Sequence, residues 1–461
     1  MPFPKDFTFG AAAAAYQIEG AVTEGGRGRC VWDMHSHIPG RVFGDHNGDV
    51  ACDHYHRYKD DIGLMKEVGL QAYRFSISWP RVIPSGTGAI NAEGLDFYDS
   101  LVDELLAKGI QPWATLFHWD FPHELFLRGG WLNPDSPKWF ADYTAVVVDR
   151  LSDRVSHWMT LNEPQVFIGL GHMTGDHAPG IAYGRAEWLR VIHHVLLAHG
   201  LGTRAIRANA KSEAQVGFVP AAKVDYPVTE SAADIEAARK ATFATGDSAF
   251  NTSWYMDPVI FGEYPEDGLE LFGKDAPAVG PDDMAIIGEP VDFFGHNHYC
   301  GVPVRATDNE QGWESVPHGP NHPLTAFRWA VTPESLYWSC RWFSERYKLP
   351  IIITENGLSS MDWVSVDGKV HDPGRIDFLT RYLRATHRAI EDGADVRGYL
   401  QWSIFDNFEW AEGYKERFGL IYVNYETQER ILKDSAHWYS EVIASRGENL
   451  LSKPEFASEH S

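Results

Sequence analysis

Short apolar runs rich in β-branched and aromatic residues alternate with longer stretches of helical periodicity along the whole chain. The runs that predict strands are Ala72–Trp79, Gln111–Trp119, His157–Asn162, Val216–Ala221, Val291–Tyr299, Pro350–Glu355 and Arg397–Ile404. Phe7–Gln17 is the first of the set and brings it to eight. Between strands, Tyr58, Ile62, Met65 and Gly69 recur near one face of a predicted helix that Gly69 can end. Leu95, Tyr98, Val102, Leu105 and Leu106 do the same in the next helix, with Asn91 placed to cap its start and Gly109 its end. Such alternation implies parallel strands joined by right-handed crossovers, and eight of them favour a closed (β/α)8 barrel over an open sheet. The stretch from Arg305 to Ala326, with several Gly, Pro and His, reads as a long loop on the functional rim. No Gly/Ser linker, charge block or short repeat divides the chain. Residues 1–461 are therefore expected to form a single α/β domain, a TIM barrel with extended βα loops.

Composition narrows the function classes. At 461 residues, 44% hydrophobic and 23% charged, the chain can bury a large core and is not a disordered, collagen-like or disulfide-scaffold sequence. Lys+Arg count 40 against 64 Asp+Glu, and the net charge of −24 argues against nucleic acid or an anionic membrane as a partner. Cys30, Cys52, Cys300 and Cys340 are widely spaced without a CxxC pair, and read as reduced, mostly buried thiols of a cytoplasmic protein. The alanine run near the start is interrupted by Tyr16, Gln17 and Glu19, so no signal peptide is expected. No uncharged stretch reaches the roughly 18 apolar residues of a membrane span. Aromatic residues make up 13% of the chain, with 17 Trp. Most such rings belong to a core, but flat apolar faces also suit the C–H faces of sugars.

Two predicted strand ends share a form, an apolar run and then a glutamate beside an asparagine. They are Met159–Pro164 (MTLNEP) and Ile352–Gly357 (IITENG). On the strand count above they close the fourth and seventh strands, whose C-terminal ends open into the mouth of a barrel. A lone glutamate there would more often cap a helix or face water. Two at matched positions supply the paired carboxylates that glycosidic cleavage requires, one to protonate the leaving oxygen and one to attack or stabilise the anomeric carbon.

Thr160–Pro164 (TLNEP) and Ile353–Gly357 (ITENG) resemble the acid/base and nucleophile motifs of glycoside hydrolase family 1, the β-glucosidase family. The similarity runs almost from end to end. FTFGAAAAAYQIEGA (7–21), YRFSISWPR (73–81), LFHWDFP (116–122), DFFGHNHY (292–299) and DNFEWAEGYKERFG (406–419) follow in the family's order. The resemblance implies a cofactor-free, retaining β-glycosidase acting on small-molecule β-glycosides. Cellobiose-like and aryl β-glucosides come first, with β-galactosides and β-fucosides beside them, in carbohydrate metabolism and cellulose degradation. It implies Glu163 as general acid/base and Glu355 as nucleophile, with Arg74 and Tyr299 hydrogen-bonded to the nucleophile and Asn162 to the sugar 2-hydroxyl. It further implies Gln17, His118, Trp119, Trp402, Glu409 and Trp410 as the pocket for the non-reducing sugar, with Trp402 as stacking floor. Asn297 is then a polar contact near the reaction centre and Trp329 the aglycone-side tryptophan. A negative Glu355 near Glu163 would raise the pKa of Glu163 and keep its proton near neutrality.

Some positions depart from the family pattern. The flanks of Trp329 (FRWAVTP) lack the usual Gly-Trp, and Phe117, Phe121 and Ile404-Phe405 are mild departures near the mouth. A 6-phospho-β-glycosidase on the same scaffold would carry Ser, Lys and Tyr where this chain has Glu409, Glu416 and Phe418, and two carboxylates would repel a phosphate. A thioglucosidase dispenses with the acid that Glu163 retains, and a non-catalytic sugar-binding barrel would lack one carboxylate. Transglycosylation uses the same residues and stays open, as does the oligomeric state. His35 with His37, Asp53 with His54 and His56, and His296 with His298 have the spacing of ligand clusters, but no metal is expected at them.

Overall fold

The computed structural model describes residues 2–451. Eight strands form a closed parallel barrel: β1 (Thr8–Ala12), β2 (Ala72–Ser76), β3 (Gln111–Phe117), β4 (His157–Asn162), β5 (Gln215–Val219), β6 (Phe293–Asn297), β7 (Ile351–Asn356) and β8 (Val396–Trp402). Each strand pairs with its neighbours in sequence, and β1 closes the circle against both β8 and β2, with Ala12 opposite Trp402 and Arg74. The strands are buried along nearly their whole length, as parallel strands covered by helices must be.

The helices follow the apolar periodicity. In α1 (His54–Val68), Ile62, Met65 and Val68 are buried, and Gly69 ends the helix with a left-handed φ of 83°. In α2 (Ala92–Ala107), Leu95, Tyr98, Leu101, Val102 and Leu105 face the barrel. Leu106 does not: it is exposed, one position beyond the buried stripe. Asn91 occupies the cap position of α2 without capping it, because its amide donates instead to the carbonyls of Gly25 and Arg81, at 2.6 and 2.9 Å. Gly109, with φ of 75°, stands just past the end, as expected.

Two further expectations are corrected. The first run does not stay extended to Gln17. It leaves the barrel after Ala12, and Ala15–Ile18 forms a helical turn whose first amide donates to Ser76 Oγ at 2.7 Å. Nor is 305–326 purely loop. Val302–Ala306 pairs antiparallel with Trp313–Ser315 and parallel with Asp225–Pro227, a small side sheet on the rim whose turn Gly312 makes with a φ of 84°. Among the described residues, no helix is long and apolar enough to cross a membrane.

Candidate active site

The two glutamates end β4 and β7 for different local reasons. Pro164 disfavours right-handed helix for the residue before it, and Glu163 takes a left-handed φ of 46° at the strand end. After Glu355, the chain must pass against β8. A Cβ on Gly357 would lie 1.9 Å from the Trp402 carbonyl oxygen, so only glycine fits there. Trp119 and Trp410 also hold positive φ, at 79° and 49°. Left-handed backbone at three non-glycine residues around one cavity costs about 1–3 kcal/mol each and is a mark of a functional site.

Both glutamates line one cavity of about 510 Å³ at the C-terminal mouth of the barrel, together with His118, Trp119, Asn297, Tyr299, Trp329, Trp402, Glu409 and Trp410. Arg74, Asn162 and Gln17 pack directly against these lining residues, bonding Glu355, His118 and Glu409. Arg74, buried in β2, donates from Nη1 to Glu355 Oε1 and from Nη2 to Asn162 Oδ1, both at 2.6 Å. Tyr299 donates its hydroxyl to Glu355 Oε2 at 2.7 Å. Asn297, which faces Glu355 across the β6–β7 register, donates to Glu163 Oε1 at 2.9 Å and to Asn162 Oδ1 at 3.0 Å. One asparagine thus ties the two strand ends together.

The surroundings of the two carboxyls are unequal. Burial pushes Glu163 up to about 8, and the negative Glu355 adds to it, while Asn297 and the more distant Arg74 only partly offset them. Burial also raises Glu355, but the Arg74 guanidinium opposes it first, then the hydroxyl of Tyr299. A cation in direct contact favours the anion at Glu355, and among the described residues no cation pairs with Glu163. The pair is built to carry one proton and one negative charge near neutrality, with the proton on Glu163.

The rest of the site holds polar groups in fixed orientations. Arg74 fixes Asn162 Oδ1, so the Asn162 amide donates to His118 Nε2 at 3.0 Å and the ring proton of His118 falls on Nδ1. Burial, with Arg74 nearby, holds the pKa of His118 well below its usual value and the ring neutral. Gln17 donates to Asn407 Oδ1 at 3.1 Å and to the Phe408 carbonyl at 2.9 Å, which leaves its buried Oε1 without a protein partner. Glu409 accepts from Gln17 at 3.3 Å, and burial followed by Glu355, Glu416 and Glu163 raises it well above the carboxylate range. The rings of His118 and Trp402 stack with centroids 5.7 Å apart, and Trp119 and Trp410 meet at 4.5 Å. Trp329 packs on Tyr299 at 5.0 Å, on the outer side of the cavity.

Every site residue expected from the sequence converges here. Sequence reasoning missed Thr115 and Thr354, whose hydroxyls bond Arg74 Nε and Asn297 Oδ1 at 3.0 and 2.7 Å, and Asn407 behind Gln17. Their signal was adjacency: Thr354 and Asn407 lie inside the motifs already singled out. Phe250 on the outer wall comes from a loop that carries no motif, Val302 begins a strand of the side sheet, and Phe327 opens the segment around Trp329. The histidine pairs are held by other partners. His296 and His298 bond Ser339 and Ser335 behind the barrel, and His54 and His56 bond Asp61 and Asp53.

Two buried carboxyls of unequal basicity, facing one cavity from the fourth and seventh strands of a parallel barrel, define a site for acid-assisted nucleophilic displacement at a glycosidic carbon. The family model for Glycosyl hydrolase family 1 matches residues 1–448, and the chain belongs to that family. Beta-glucosidase A of Acetivibrio thermocellus is 44% identical over 452 residues, covering 97% of this chain and 99% of its own. A bifunctional beta-D-glucosidase/beta-D-fucosidase of Bifidobacterium breve is 43% identical, with 96% and 98% covered. Among solved structures, the beta-glucosidase from Thermotoga maritima in complex with glucoimidazole superposes with a TM-score of 0.89 at 43% identity, covering 97% of this chain and 99% of that one.

Proposed function

We propose that this chain is a retaining β-glucosidase that hydrolyses terminal non-reducing β-D-glucosyl residues, with β-D-fucosides and β-D-galactosides as further substrates. The observation that carries this reading is the asymmetry of the carboxyl pair: Arg74 and Tyr299 hold Glu355, whereas Glu163 has only the Asn297 amide. Glu355 attacks the anomeric carbon while Glu163 gives its proton to the leaving oxygen. The covalent ester removes the charge from Glu355, which lowers the pKa of Glu163 and lets it take a proton from the water that releases the sugar. Arg74 is a positioning residue, since it reaches substrate only through Glu355 and Asn162. The second N–H of Asn162 suits the sugar 2-hydroxyl, and the unpartnered Gln17 Oε1 suits a hydroxyl donor on the same ring.

The Bifidobacterium relative, named for both glucosidase and fucosidase activity, supports a pocket tolerant at C6. Glu409 and the buried Glu416 give a 6-phosphate acidic side chains where it would need cationic partners. Free thiols at all four cysteines support a reducing, cytoplasmic setting, and the small cavity suits disaccharides such as cellobiose as end products of cellulose breakdown. We read the chain as one catalytic domain.

Glu355→Ala supplied with azide tests the assignment: it should form the glycosyl azide of inverted configuration. Turnover at the wild-type rate would reject it. Aryl β-glycosides that differ at C4 and C6, a 6-phosphate included, should rank the glucoside above the phosphate in kcat/KM, and the opposite order would overturn the pocket reading.

A further inference from the structure

The hydrogen bonds beneath the two carboxyls have a fixed direction. A guanidinium only donates, so the Asn162 atom that meets Arg74 Nη2 is the carbonyl oxygen. That oxygen also meets Asn297 at 3.0 Å, and the Asn297 atom there must be the amide nitrogen. The same nitrogen gives its other N–H to Glu163 Oε1 at 2.9 Å. Oε1 is thus an acceptor, and the proton that Glu163 carries falls on Oε2. Asn297 Oδ1, at the far end of the amide, accepts the Thr354 hydroxyl at 2.7 Å.

Thr354 reaches Asn297 against the alternation of its own strand. It precedes Glu355 in β7, and an ideal pleat would send the two side chains to opposite faces. The β6–β7 register shifts between Ile352 and Glu355, and this irregularity lets both side chains serve one site. The backbone is held there too, since Arg74 Nη1 donates to the Thr354 carbonyl at 3.1 Å. Thr354 is fully buried and not part of the cavity wall, so it acts on the reaction through Asn297.

We propose that Thr354 is a positioning residue for the acid: by donating to Asn297 Oδ1 it holds the amide that keeps the Glu163 proton on Oε2, the oxygen left for the leaving group. This rests on the β-glucosidase reading above. Without the hydroxyl, Asn297 Oδ1 is buried and unpaired, and the amide turns away from Glu163 to regain a partner. Proton delivery then suffers, while Glu355 keeps Arg74 and Tyr299.

The test compares Thr354→Val, which keeps the β-branched shape a strand favours but not the hydroxyl, with Thr354→Ser, which keeps the hydroxyl. The readout is kcat/KM on cellobiose, whose leaving sugar needs the proton, and on 2,4-dinitrophenyl β-D-glucoside, whose phenolate does not. Thr354→Val should lose about tenfold on cellobiose and about twofold or less on the dinitrophenyl glucoside. Thr354→Ser should return cellobiose to within about threefold of wild type. With 4-nitrophenyl β-D-glucoside, the basic limb of the pH profile should move to higher pH in Thr354→Val, because the Asn297 amide favours the Glu163 anion. Asn297 comes after Arg74 and Tyr299 among the groups that lower Glu355, so the acid limb should move less. Glu355, Arg74 and Glu409, the charged groups facing Glu163, are the same in both variants. Equal losses on cellobiose and the dinitrophenyl glucoside, or a basic limb that stays in place, overturn the proposal. If Thr354→Val does not fold, Thr354→Ala is read by the same ratio and the same limb. In an Asn297→Ala background, Thr354→Val should cost no more than about twofold on cellobiose, and a further tenfold loss there also overturns the proposal. A wild type active on both substrates with an even loss in the variant leaves the glucosidase reading standing. A wild type that turns over no glucoside overturns both.

Discussion

At the floor of the cavity Arg74, Asn162, His118, Asn297 and Glu355 hold one another through hydrogen bonds of 2.6–3.0 Å, whereas at the mouth Phe327, Trp329 and Phe418 meet only through rings with centroids 4.3–6.2 Å apart. Floor contacts are directional, buried and partly charged, so removing one partner strands another. Mouth contacts are non-directional and partly solvated, so they tolerate exchange at little cost. Chemistry is therefore fixed at the floor, and preference among leaving groups is adjustable at the mouth.

Substitutions can break that division, beginning where the effect is largest. Glu355→Ala should lower kcat on the order of 10⁵-fold for every glycoside, measured as initial rates without added nucleophile. Glu163→Ala should cost about 10²–10⁴-fold in kcat/KM for alkyl and sugar leaving groups, and far less for dinitrophenyl glucosides that need no proton. Equal losses across leaving groups would contradict the acid role. Gln17→Ala removes an unpartnered acceptor on the sugar side, and should cost about tenfold to a hundredfold in kcat/KM for glucosides whatever the aglycone. Trp329→Ala should change kcat/KM by about tenfold or less, with a size that depends on the aglycone. A loss at Trp329 that is large and the same for all aglycones would erase the distinction between floor and mouth.

The same division governs what the sequence could reveal. Barrel strands and both glutamates were legible because a parallel strand buried on two faces must be apolar, and a charged residue at its end stands out against that run. The ends of elements were less legible. Ala13–Ala15 favours helix over strand, against the extended reading of the whole run, and the turn that carries Gln17 is fastened by a tertiary contact, the Ser76 hydroxyl on Ala15 N–H. Asn91 illustrates a second limit. Its amide has a choice of partners, and the carbonyls of Gly25 and Arg81, distant in sequence, outcompete the local cap. Mouth residues such as Phe250 were unreadable because an apolar residue on a loop looks the same whether it walls a cavity or covers a helix. The side sheet over Val302–Ala306 and Trp313–Ser315 was hidden by the Gly, Pro, Asn and Asp around it, which are turn formers even where short strands lie between them.

The unequal carboxyl pair is tested most directly by the pH dependence of kcat/KM for 4-nitrophenyl β-D-glucoside, whose leaving oxygen still gains from a proton while its turnover stays measurable without one, in wild type and in Glu163→Gln. In wild type the rate should fall on the acid side as Glu355 takes a proton, at a pH above the usual glutamate range because burial raises it, and on the basic side as Glu163 loses its proton near pH 8. The neutral amide of Glu163→Gln matches the protonated acid in charge and cannot titrate. The acid limb should stay in place and the basic limb should vanish. A basic limb that persists in Glu163→Gln, or an acid limb that disappears with it, would contradict the assignment of proton and charge on which the mechanism stands.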